Sequence, residues 1–337
     1  MLNFAIIGFG GLGKAHFKNV EAITKAAGDV KLVALCDVEK DAFEKFTATN
    51  ISDTNETLDL SAYKLYNDAE ELFENERLDF VITALPTYLH EKIAVMALNR
   101  KIHVFSEKPM AINLEQAQNM IDKAKENNVK LMIGQCLRFS PAYIALKKMI
   151  DEKTYGAVVR AEFSRLSQTP NWSWQNWMLD EEKSGSAILD LHVHDVDFIN
   201  WAFGKPHSVT SLSTGKKVSH ESVMTLYNYG DGKLITAKAD WGFPSCYPFT
   251  VSFSVRFEKA AVEYKGRKLM LYPEGSAASE IKLDDSNCYV NEVVEFISCI
   301  REDRVSQINP PEASMSSIAI AFAEKESADT NKTVTLQ

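Results

Sequence analysis

The sequence predicts an α/β protein of two domains, an N-terminal doubly wound parallel sheet and a C-terminal α+β domain with a large, mostly antiparallel open sheet. Three observations support this fold class. The chain has 337 residues, which is enough for two domains with separate cores. Its first half alternates continuous apolar runs with helical patterns. After about residue 155, short strands of alternating apolar and polar residues follow one another.

The parallel sheet is predicted from apolar runs that are separated from one another by residues of helical character. Such runs are typical of strands buried on both faces, and the strand–helix alternation implies right-handed parallel crossovers. The strands are expected at residues 3–8, 30–36, 79–85, 102–106 and 130–135. Helices are expected at residues 12–27 and 39–49, and the polar residues 50–62 are expected to form an inserted loop.

The second half predicts a sheet of different character. Segments such as AVVRAEFSRLS, SVMTLYNY and FTVSFSVRF alternate apolar and polar residues, the pattern of a mostly antiparallel sheet with one covered face. Two closing helices are expected at residues 288–300 and 312–328. We place the domain boundary between residues 1–124 and residues 125–337, and we expect the C-terminal helix to pack back near the N-terminal domain.

The composition argues against several classes of partner and site. A net charge of −9 with no block of Lys or Arg argues against nucleic acid or an anionic membrane surface. The five cysteines form no C-x-x-C pair, which argues against a disulfide framework and a thiolate metal site. No signal-peptide pattern is evident at the N-terminus, and no apolar stretch approaches the roughly 20 residues of a membrane span. We therefore expect a cytoplasmic protein.

The segment GFGGLG, residues 8–13, fits the pattern G-x-G-x-x-G between the first predicted strand and the first predicted helix. In a Rossmann domain, the first glycine permits the turn, the second lets the backbone approach a pyrophosphate, and the third lets helix and strand pack closely. The helix N-terminus then presents N–H groups to the phosphates. The residues expected to contact a dinucleotide here are Gly8, Phe9, Gly10, Gly11, Leu12 and Gly13.

Asp37 ends the second predicted strand, where a carboxylate accepts hydrogen bonds from the ribose hydroxyls of adenosine. A 2′-phosphate would meet a like charge there, and the next residues are Val38 and Glu39 rather than arginine. We therefore expect NAD as the cofactor. Lys40 leaves NADP as the alternative.

The segment EKPMAIN, residues 107–113, follows a predicted strand at the carboxyl edge of the sheet, where α/β proteins bind ligands. Pro109 disfavours helical geometry at Lys108, so the lysine is expected on a loop. A loop lysine considered alone is most often only solvated. The role of Lys108 therefore has to be inferred from other segments of the sequence.

The chain resembles the Gfo/Idh/MocA oxidoreductases, the family of glucose–fructose oxidoreductase and inositol dehydrogenase. The segments GFGGLGKAH, HVFSEKPMA, GQCLRFSPAY and SGSAILDLHVHDVDFINWAFG carry the resemblance, which extends over essentially the whole sequence. It implies that Lys108 reaches both cofactor and substrate, and that Arg138 shapes the substrate end of the nicotinamide pocket. It also implies cofactor contacts for Leu85, Pro86, His90 and Glu107. The chain departs from the family at Leu85-Pro86-Thr87, where many members have Thr-Pro-Asn.

Residues 190–197, DLHVHDVD, place two histidines and three aspartates on a predicted helix. Asp190 and His194 lie one turn apart with Asp197 nearby, whereas His192 points away, so convergent metal ligands are not expected. From the residues alone, a catalytic pair and a structural carboxylate–imidazole pair are equally open. The D-x-x-x-H pair of the family implies that His194 is the general base and that Asp190 orients the substrate hydroxyl or the imidazole. His192 is expected to pack or hydrogen-bond within the second domain.

Residues 170–185, PNWSWQNWMLDEEKSG, carry three tryptophans just before this helix. Aromatic faces stack on the C–H faces of sugars and cyclitols, although such loops serve as often in packing or oligomer contacts. We expect the substrate to contact Trp172 together with Lys108, Arg138, Asp190 and His194. No cluster of Arg and Lys marks a phosphate site, which favours a neutral polyol, pyranose or inositol.

The sequence is therefore interpreted as that of an NAD-dependent dehydrogenase acting on a sugar or cyclitol hydroxyl. One alternative is an NAD-requiring glycosidase or dehydratase of the same family. Another is a non-catalytic nucleotide-sensing regulator, which would be expected to lack Lys108 or His194, and both are present. The resemblance further implies a homodimer or homotetramer formed through the C-terminal sheet.

Overall fold

The computed structural model of the protein describes residues 1–44 and 58–336, and within them the chain forms two compact units. The first unit contains Met1–Gln135, Trp172–Trp177 and Tyr289–Met315, and the second contains Cys136–Asn171, Met178–Cys288 and Ser316–Gln337. The first unit thus continues past the boundary predicted at residue 124, because a further strand completes its sheet.

In the described residues, the first unit contains a six-stranded parallel sheet. Its strands are β1 (Leu2–Ile7), β2 (Val30–Cys36), β3 (Lys64–Tyr66), β4 (Phe80–Thr83), β5 (His103–Glu107) and β6 (Leu131–Gly134). They lie in the order β3-β2-β1-β4-β5-β6, so the predicted doubly wound sheet is confirmed. β4 and β6 are buried along their whole length, as expected of strands covered on both faces. The sequence did not reveal β3, a short edge strand with two exposed residues.

In the described residues of Met1–Gln135, the α-helices are α1 (Gly11–Lys18), α2 (Val20–Ala27), α3 (Ala69–Asn75), α4 (His90–Asn99) and α5 (Leu114–Glu126). A single helix was predicted at residues 12–27, but the chain breaks at Asn19, whose N–H is shared between the carbonyls of Ala15 and His16. The helix predicted at residues 39–49 begins as a 3₁₀ turn at Lys40–Phe43. Its remainder, and most of the predicted insertion at 50–62, lie outside the described residues.

The second unit contains α6 (Pro141–Asp151), α7 (Glu181–Ser184) and α8 (Val193–Phe203), together with a nine-stranded sheet in the described residues. Its strands are β7 (Val158–Gln168), β8 (Ser208–Thr214), β9 (Ser222–Asn228), β10 (Leu234–Phe243), β11 (Thr250–Phe257), β12 (Ala260–Lys265), β13 (Lys268–Pro273), β14 (Ser279–Ile281) and β15 (Val334–Thr335). They lie in the order β14-β13-β12-β11-β7-β10-β9-β8-β15. Because only β7 and β10 pair in parallel among these strands, the mostly antiparallel sheet is confirmed.

The two closing helices are α9 (Cys288–Arg301) and α10 (Pro311–Thr330), at the predicted places. In the first unit, Phe296 of α9 packs edge-on against Phe80 of β4 and Phe105 of β5, with both ring centroids at 5.8 Å. A C-terminal segment therefore helps to bury the parallel sheet. None of the described helices is long and apolar enough to cross a membrane.

Candidate cofactor and catalytic sites

The glycine loop joins β1 to α1 with geometry that side chains would obstruct. Gly8 has φ +90°, and a Cβ there would lie 2.3 Å from the carbonyl oxygen of Ala84. A Cβ at Gly13 would lie 1.9 Å from the carbonyl oxygen of Gly8, so this glycine lets the helix approach the loop. A Cβ at Gly10 would have no neighbour within 4 Å, and Gly10 is itself the N-cap residue of α1, so it has no side chain to cap the helix. The loop thus leaves open space in front of the N-terminus of a helix, which suits a phosphate.

Asp37 connects this loop to the end of β2. Its Oδ2 accepts a hydrogen bond of 2.6 Å from the N–H of Phe9, and its Oδ1 accepts one of 2.9 Å from the N–H of Glu39. Burial lowers the pKa of Lys14 on α1, and the charge of Asp37 opposes that shift. The carboxylate is therefore fixed at the loop, at the carboxyl end of its strand.

Glu107 of the EKP segment contacts a residue that the sequence did not single out. Its Oε1 lies 2.6 Å from His16 Nε2, and both side chains are buried, with exposed fractions of 3% and 0%. Its Oε2 accepts a hydrogen bond of 3.3 Å from the N–H of Lys108. Glu107 therefore connects α1 to the segment that carries Lys108, and the Lys108–Pro109 peptide bond is cis.

His90 connects the LPT segment with the EKP segment. Its Nδ1 lies 2.7 Å from the carbonyl oxygen of Pro109, and its Nε2 lies 2.8 Å from that of Leu85. Burial lowers the pKa of His90, although the two carbonyls oppose the shift. A neutral imidazole has one N–H and donates to only one of them. Both ring nitrogens thus face the backbone, and the cofactor contacts predicted for Leu85, Pro86, His90 and Glu107 stay predictions.

The aromatic loop contributes to the first unit. Trp174 Nε1 donates a hydrogen bond of 3.1 Å to Glu39 Oε1, two residues beyond Asp37. Gln175 and Asn176 have φ of +49° and +54°. Trp174 is therefore held at the end of β2, beside the predicted adenosine-ribose carboxylate, whereas the substrate contact predicted for Trp172 stays a prediction.

In the second unit, residues 190–197 do not form the regular helix that the sequence predicts. A π-helical turn covers Ile188–His192 and leads into α8. Such turns insert an extra residue into a helix and occur frequently at functional sites. Asp190 lies in the π turn with an exposed fraction of 8%, and His194 lies in the first turn of α8 and is partly exposed.

Two aspartates of this segment form buried ion pairs. Asp197 accepts hydrogen bonds of 2.8 and 2.9 Å from Nε and Nη2 of Arg138, and one of 2.8 Å from Ser317 Oγ. Asp195 accepts bonds of 3.0 and 3.2 Å from Nε and Nη2 of Arg165. Burial lowers the pKa of Arg165, but the charge and hydrogen bonds of Asp195, together with Tyr143 and Cys136, outweigh burial, so the pKa is raised. These contacts give Arg138 a role in holding α8, and its predicted substrate contact stays a prediction.

The two histidines of the segment lie in different surroundings. His192 is fully buried, with Nε2 3.1 Å from Glu324 Oε2 and 3.3 Å from Tyr227 Oη, in agreement with the predicted packing inside the second domain. His194 Nδ1 lies 3.9 Å from Cys136 Sγ. No group of three or more His, Cys, Asp or Glu side chains among the described residues could hold a metal ion.

Several residues at these sites were not predicted from the sequence. Arg165 could have been found, because it follows Ala161 and Phe163 on the inward face of β7, where a charge needs a buried partner. His16, Cys136, Tyr227 and Glu324 gave no comparable signal. Their partners are distant in the chain, and nothing in their local sequence distinguishes them.

Comparison with known proteins decides the family. Residues 2–135 match the model described as an oxidoreductase family with an NAD-binding Rossmann fold, and residues 143–263 match that of the GFO/IDH/MocA C-terminal domain. The chain belongs to the GFO/IDH/MocA oxidoreductase family. Both the predicted family and the predicted NAD-binding domain are thereby confirmed.

The similar proteins include enzymes of this family with different reactions. The scyllo-inositol 2-dehydrogenase (NAD(+)) of Bacillus subtilis is 28% identical over 239 residues, which are 71% of this chain and 64% of that protein. The 2,7-anhydro-N-acetylneuraminate hydratase of Escherichia coli is 26% identical over 261 residues, 74% of this chain and 63% of that protein. The alignments thus span less than two thirds of these relatives. The solved structure of levoglucosan dehydrogenase with NADH and levoglucosan has a TM-score of 0.83 at 19% identity over 99% of each chain, which shows the shared fold.

Proposed function

We propose that this GFO/IDH/MocA protein is an NAD-dependent dehydrogenase that transfers hydride between a hydroxyl-bearing carbon of a sugar or cyclitol and nicotinamide. The observation that carries the proposal is the difference among the polar side chains of residues 190–197. Asp195, Asp197 and His192 are fully buried, whereas His194, in the first turn of α8, is partly exposed. A positioned, accessible imidazole suits proton transfer.

The first unit fits the cofactor that its family description names. The open space at Gly10 and the uncapped start of α1 suit a pyrophosphate, and the fixed carboxylate of Asp37 suits the hydroxyls of an adenosine ribose. The acidic side chain of Glu39, held by Trp174, adds a second negative charge that would oppose a 2′-phosphate. NAD is therefore proposed over NADP.

We assign the chemical steps to three side chains. When bound, NAD supplies the hydride acceptor. His194 accepts the proton of the substrate hydroxyl, because an imidazole titrates near neutrality. The ammonium of Lys108 stabilises the negative charge that develops on the same oxygen. Asp190 orients the hydroxyl. Arg138 and Arg165 act indirectly, since each holds α8 through a buried carboxylate.

A neutral cyclitol or sugar is the proposed substrate class. The relative with scyllo-inositol dehydrogenase activity supports a cyclitol, and Trp172 is proposed to contact its C–H face. The test is a screen of inositol isomers, pyranoses and sugar acids, in which absorbance measures the formation of NADH. We expect turnover with one neutral class, unchanged by a chelator. The control is Lys108→Ala protein, which should give no signal above background. Absence of NADH formation with every neutral polyol would refute the proposal.

The relative named as a hydratase supports a second candidate, in which transient oxidation assists elimination or addition of water. This reaction uses the same base and the same cofactor, but returns the hydride to the product. It would convert an anhydro-sugar without net NADH accumulation. Product analysis by mass spectrometry, run beside the absorbance assay, distinguishes the two reactions.

We also propose that two copies of the chain pair through the exposed face of the nine-stranded sheet. Leu212 of β8 lies opposite Met224 of β9, and their exposed fractions are 65% and 56%. Leu226 on the same strand is 41% exposed. Because contiguous exposed apolar side chains mark association surfaces, Leu212→Glu should shift the mass measured by light scattering towards that of a monomer. Leu114→Glu, at an exposed position of α5, is the control, and a monomeric wild type would contradict the proposal.

A cytoplasmic location completes the proposal. None of the five cysteines, all in the described part of the chain, forms a disulfide, which suits a reducing compartment. Cell fractionation with an antibody against the protein tests this location, and recovery in an exported fraction would contradict it.

A further inference from the structure

We propose that Cys136 is a positioning residue for the general base: its sulfur accepts the Nδ1–H of His194 and so leaves Nε2 to take the substrate proton. The inference rests on the proposed role of His194. It concerns a residue that the GFO/IDH/MocA resemblance does not single out. The contact lies wholly within the second unit, between the 3₁₀ turn at Cys136–Phe139 and the first turn of α8.

The turn at Cys136–Phe139 is fixed to α8 at two points. Cys136 Sγ lies 3.9 Å from His194 Nδ1, and two residues later Arg138 forms a bidentate pair with Asp197. Since residues 194 and 197 are three apart on a helix, they share a face. The buried ion pair therefore sets the distance and direction from which the thiol meets the imidazole.

The burial of Cys136 indicates which ring nitrogen of His194 carries the proton. Its exposed fraction is 6%, so the imidazole edge that carries Nδ1 faces the protein interior. A neutral imidazole has one N–H. If the thiol donated to Nδ1, that N–H would be on Nε2, which could then accept no proton. Proton abstraction through Nε2 requires the opposite arrangement, with Nδ1–H directed at sulfur.

The proposal predicts how the pH profile changes when Cys136 is replaced. In the catalytic cycle the hydroxyl proton moves to Nε2, the ring becomes an imidazolium with both N–H groups, and the proton later leaves to solvent. An acceptor at Nδ1 stabilises that imidazolium. Cys136→Ala removes the acceptor, so the acid limb of kcat/KM should move to lower pH. Cys136→Asp introduces a full negative charge and should move the limb to higher pH.

Other charged groups near α8 have to stay constant in this comparison. Those with a described contact to α8, or a place in the π turn before it, are Arg138, Tyr143, Lys147, Arg165, Asp190 and His192. None of them is changed in the Cys136 variants. Arg138–Asp197 and Arg165–Asp195 are mutually neutralised pairs, so we expect their contribution to be the same in each variant.

The experiment combines kinetics with nitrogen NMR of ¹⁵N-histidine-labelled full-length protein. In Cys136→Ala, kcat should fall about 2–10-fold, the usual effect of one weak hydrogen bond, with KM nearly unchanged. The resonance of His194, assigned by its loss in His194→Ala, should show protonated Nδ1 in the wild type and a larger share of protonated Nε2 in Cys136→Ala. Cys299→Ala removes an equally buried thiol and should change neither reading.

The tautomer measurement needs no substrate, so it separates this inference from the proposed function. If no substrate is turned over but the tautomer changes as stated, the proposed function fails and the Cys136 contact stands. An unchanged tautomer and an unchanged titration midpoint in Cys136→Ala would overturn the inference, whatever the activity. If Cys136→Asp does not fold, as judged by its thermal melt, Cys136→Ala alone decides.

Discussion

The cofactor loop of the first unit and residues 190–197 of the second unit are built on different principles. In the loop, the functional groups are backbone amides, and Asp37 accepts a hydrogen bond from the backbone N–H of Phe9. In the second segment, every buried polar side chain with a described partner meets a residue from another part of the chain, as Asp197 meets Arg138 and His192 meets Glu324. The loop depends on backbone conformation, whereas residues 190–197 depend on pairing between charged side chains.

The largest effect should come from removing the proposed base in the second segment. His194→Ala should lower kcat by about 10²–10⁴-fold, because a positioned general base contributes that much. The acid limb of kcat/KM should vanish, since it reports protonation of this imidazole. NAD affinity, measured by calorimetry, should change little. His207→Ala, at an exposed position of the same unit, is the control. Near-full turnover with the acid limb intact would make His194 structural and Lys108 the next candidate for the base.

The buried ion pairs formed by residues 190–197 should contribute most to the stability of this segment. Asp197→Ala leaves the guanidinium of Arg138 buried without its carboxylate, so the free energy of unfolding should fall by about 3–5 kcal/mol. Chemical denaturation measures the change. Arg138→Met in the same chain should restore part of the loss, since the uncompensated charge is then gone.

An exposed pair provides the control for this measurement. Lys147 and Asp151 form an i,i+4 pair on α6, and Asp151→Ala should cost only about 0.5 kcal/mol. Equal losses for Asp197→Ala and Asp151→Ala would show that the second segment does not depend on its buried charges.

The difference between the cofactor loop and residues 190–197 also explains what the sequence could predict. The order of strands and the glycine loop follow from apolar periodicity and from turn residues, which are local properties. The π turn at Ile188–His192 was not predicted, because the sequence pattern alone gives a continuous helix. The pair of Glu107 with His16 was also missed, since two polar residues 91 positions apart give no joint signal before the fold brings them together.

A smaller effect, on the selectivity between NAD and NADP, is expected from Asp37, the side chain that accepts a hydrogen bond from the cofactor loop. Asp37→Ala should lower the ratio of NAD to NADP affinity by about 10-fold, the equivalent of one charge-assisted hydrogen bond near 1.4 kcal/mol. Calorimetric titration with each nucleotide gives the ratio of the two affinities. Asp79→Ala, which removes a carboxylate that accepts from the N–H of Asn3 at the other end of β1, is the control. A wild-type protein that binds NADP more tightly would contradict the assigned role of Asp37.

The smallest effect concerns His90, which joins the LPT and EKP segments of the first unit. Burial outweighs the two facing carbonyls and lowers the pKa of His90 in the folded chain, so the unfolded chain takes up a proton first as pH falls. Its contribution to the free energy of unfolding is therefore present above the ordinary histidine pKa of about 6.5 and declines below it. The melting temperature of His90→Gln should fall less than that of the wild type between about pH 7.5 and pH 5.5. The exposed His207→Gln should follow the wild type. A wild type that melts higher at the lower pH, with the gain lost in His90→Gln, would mean that the carbonyls prevail and hold the ring as an imidazolium.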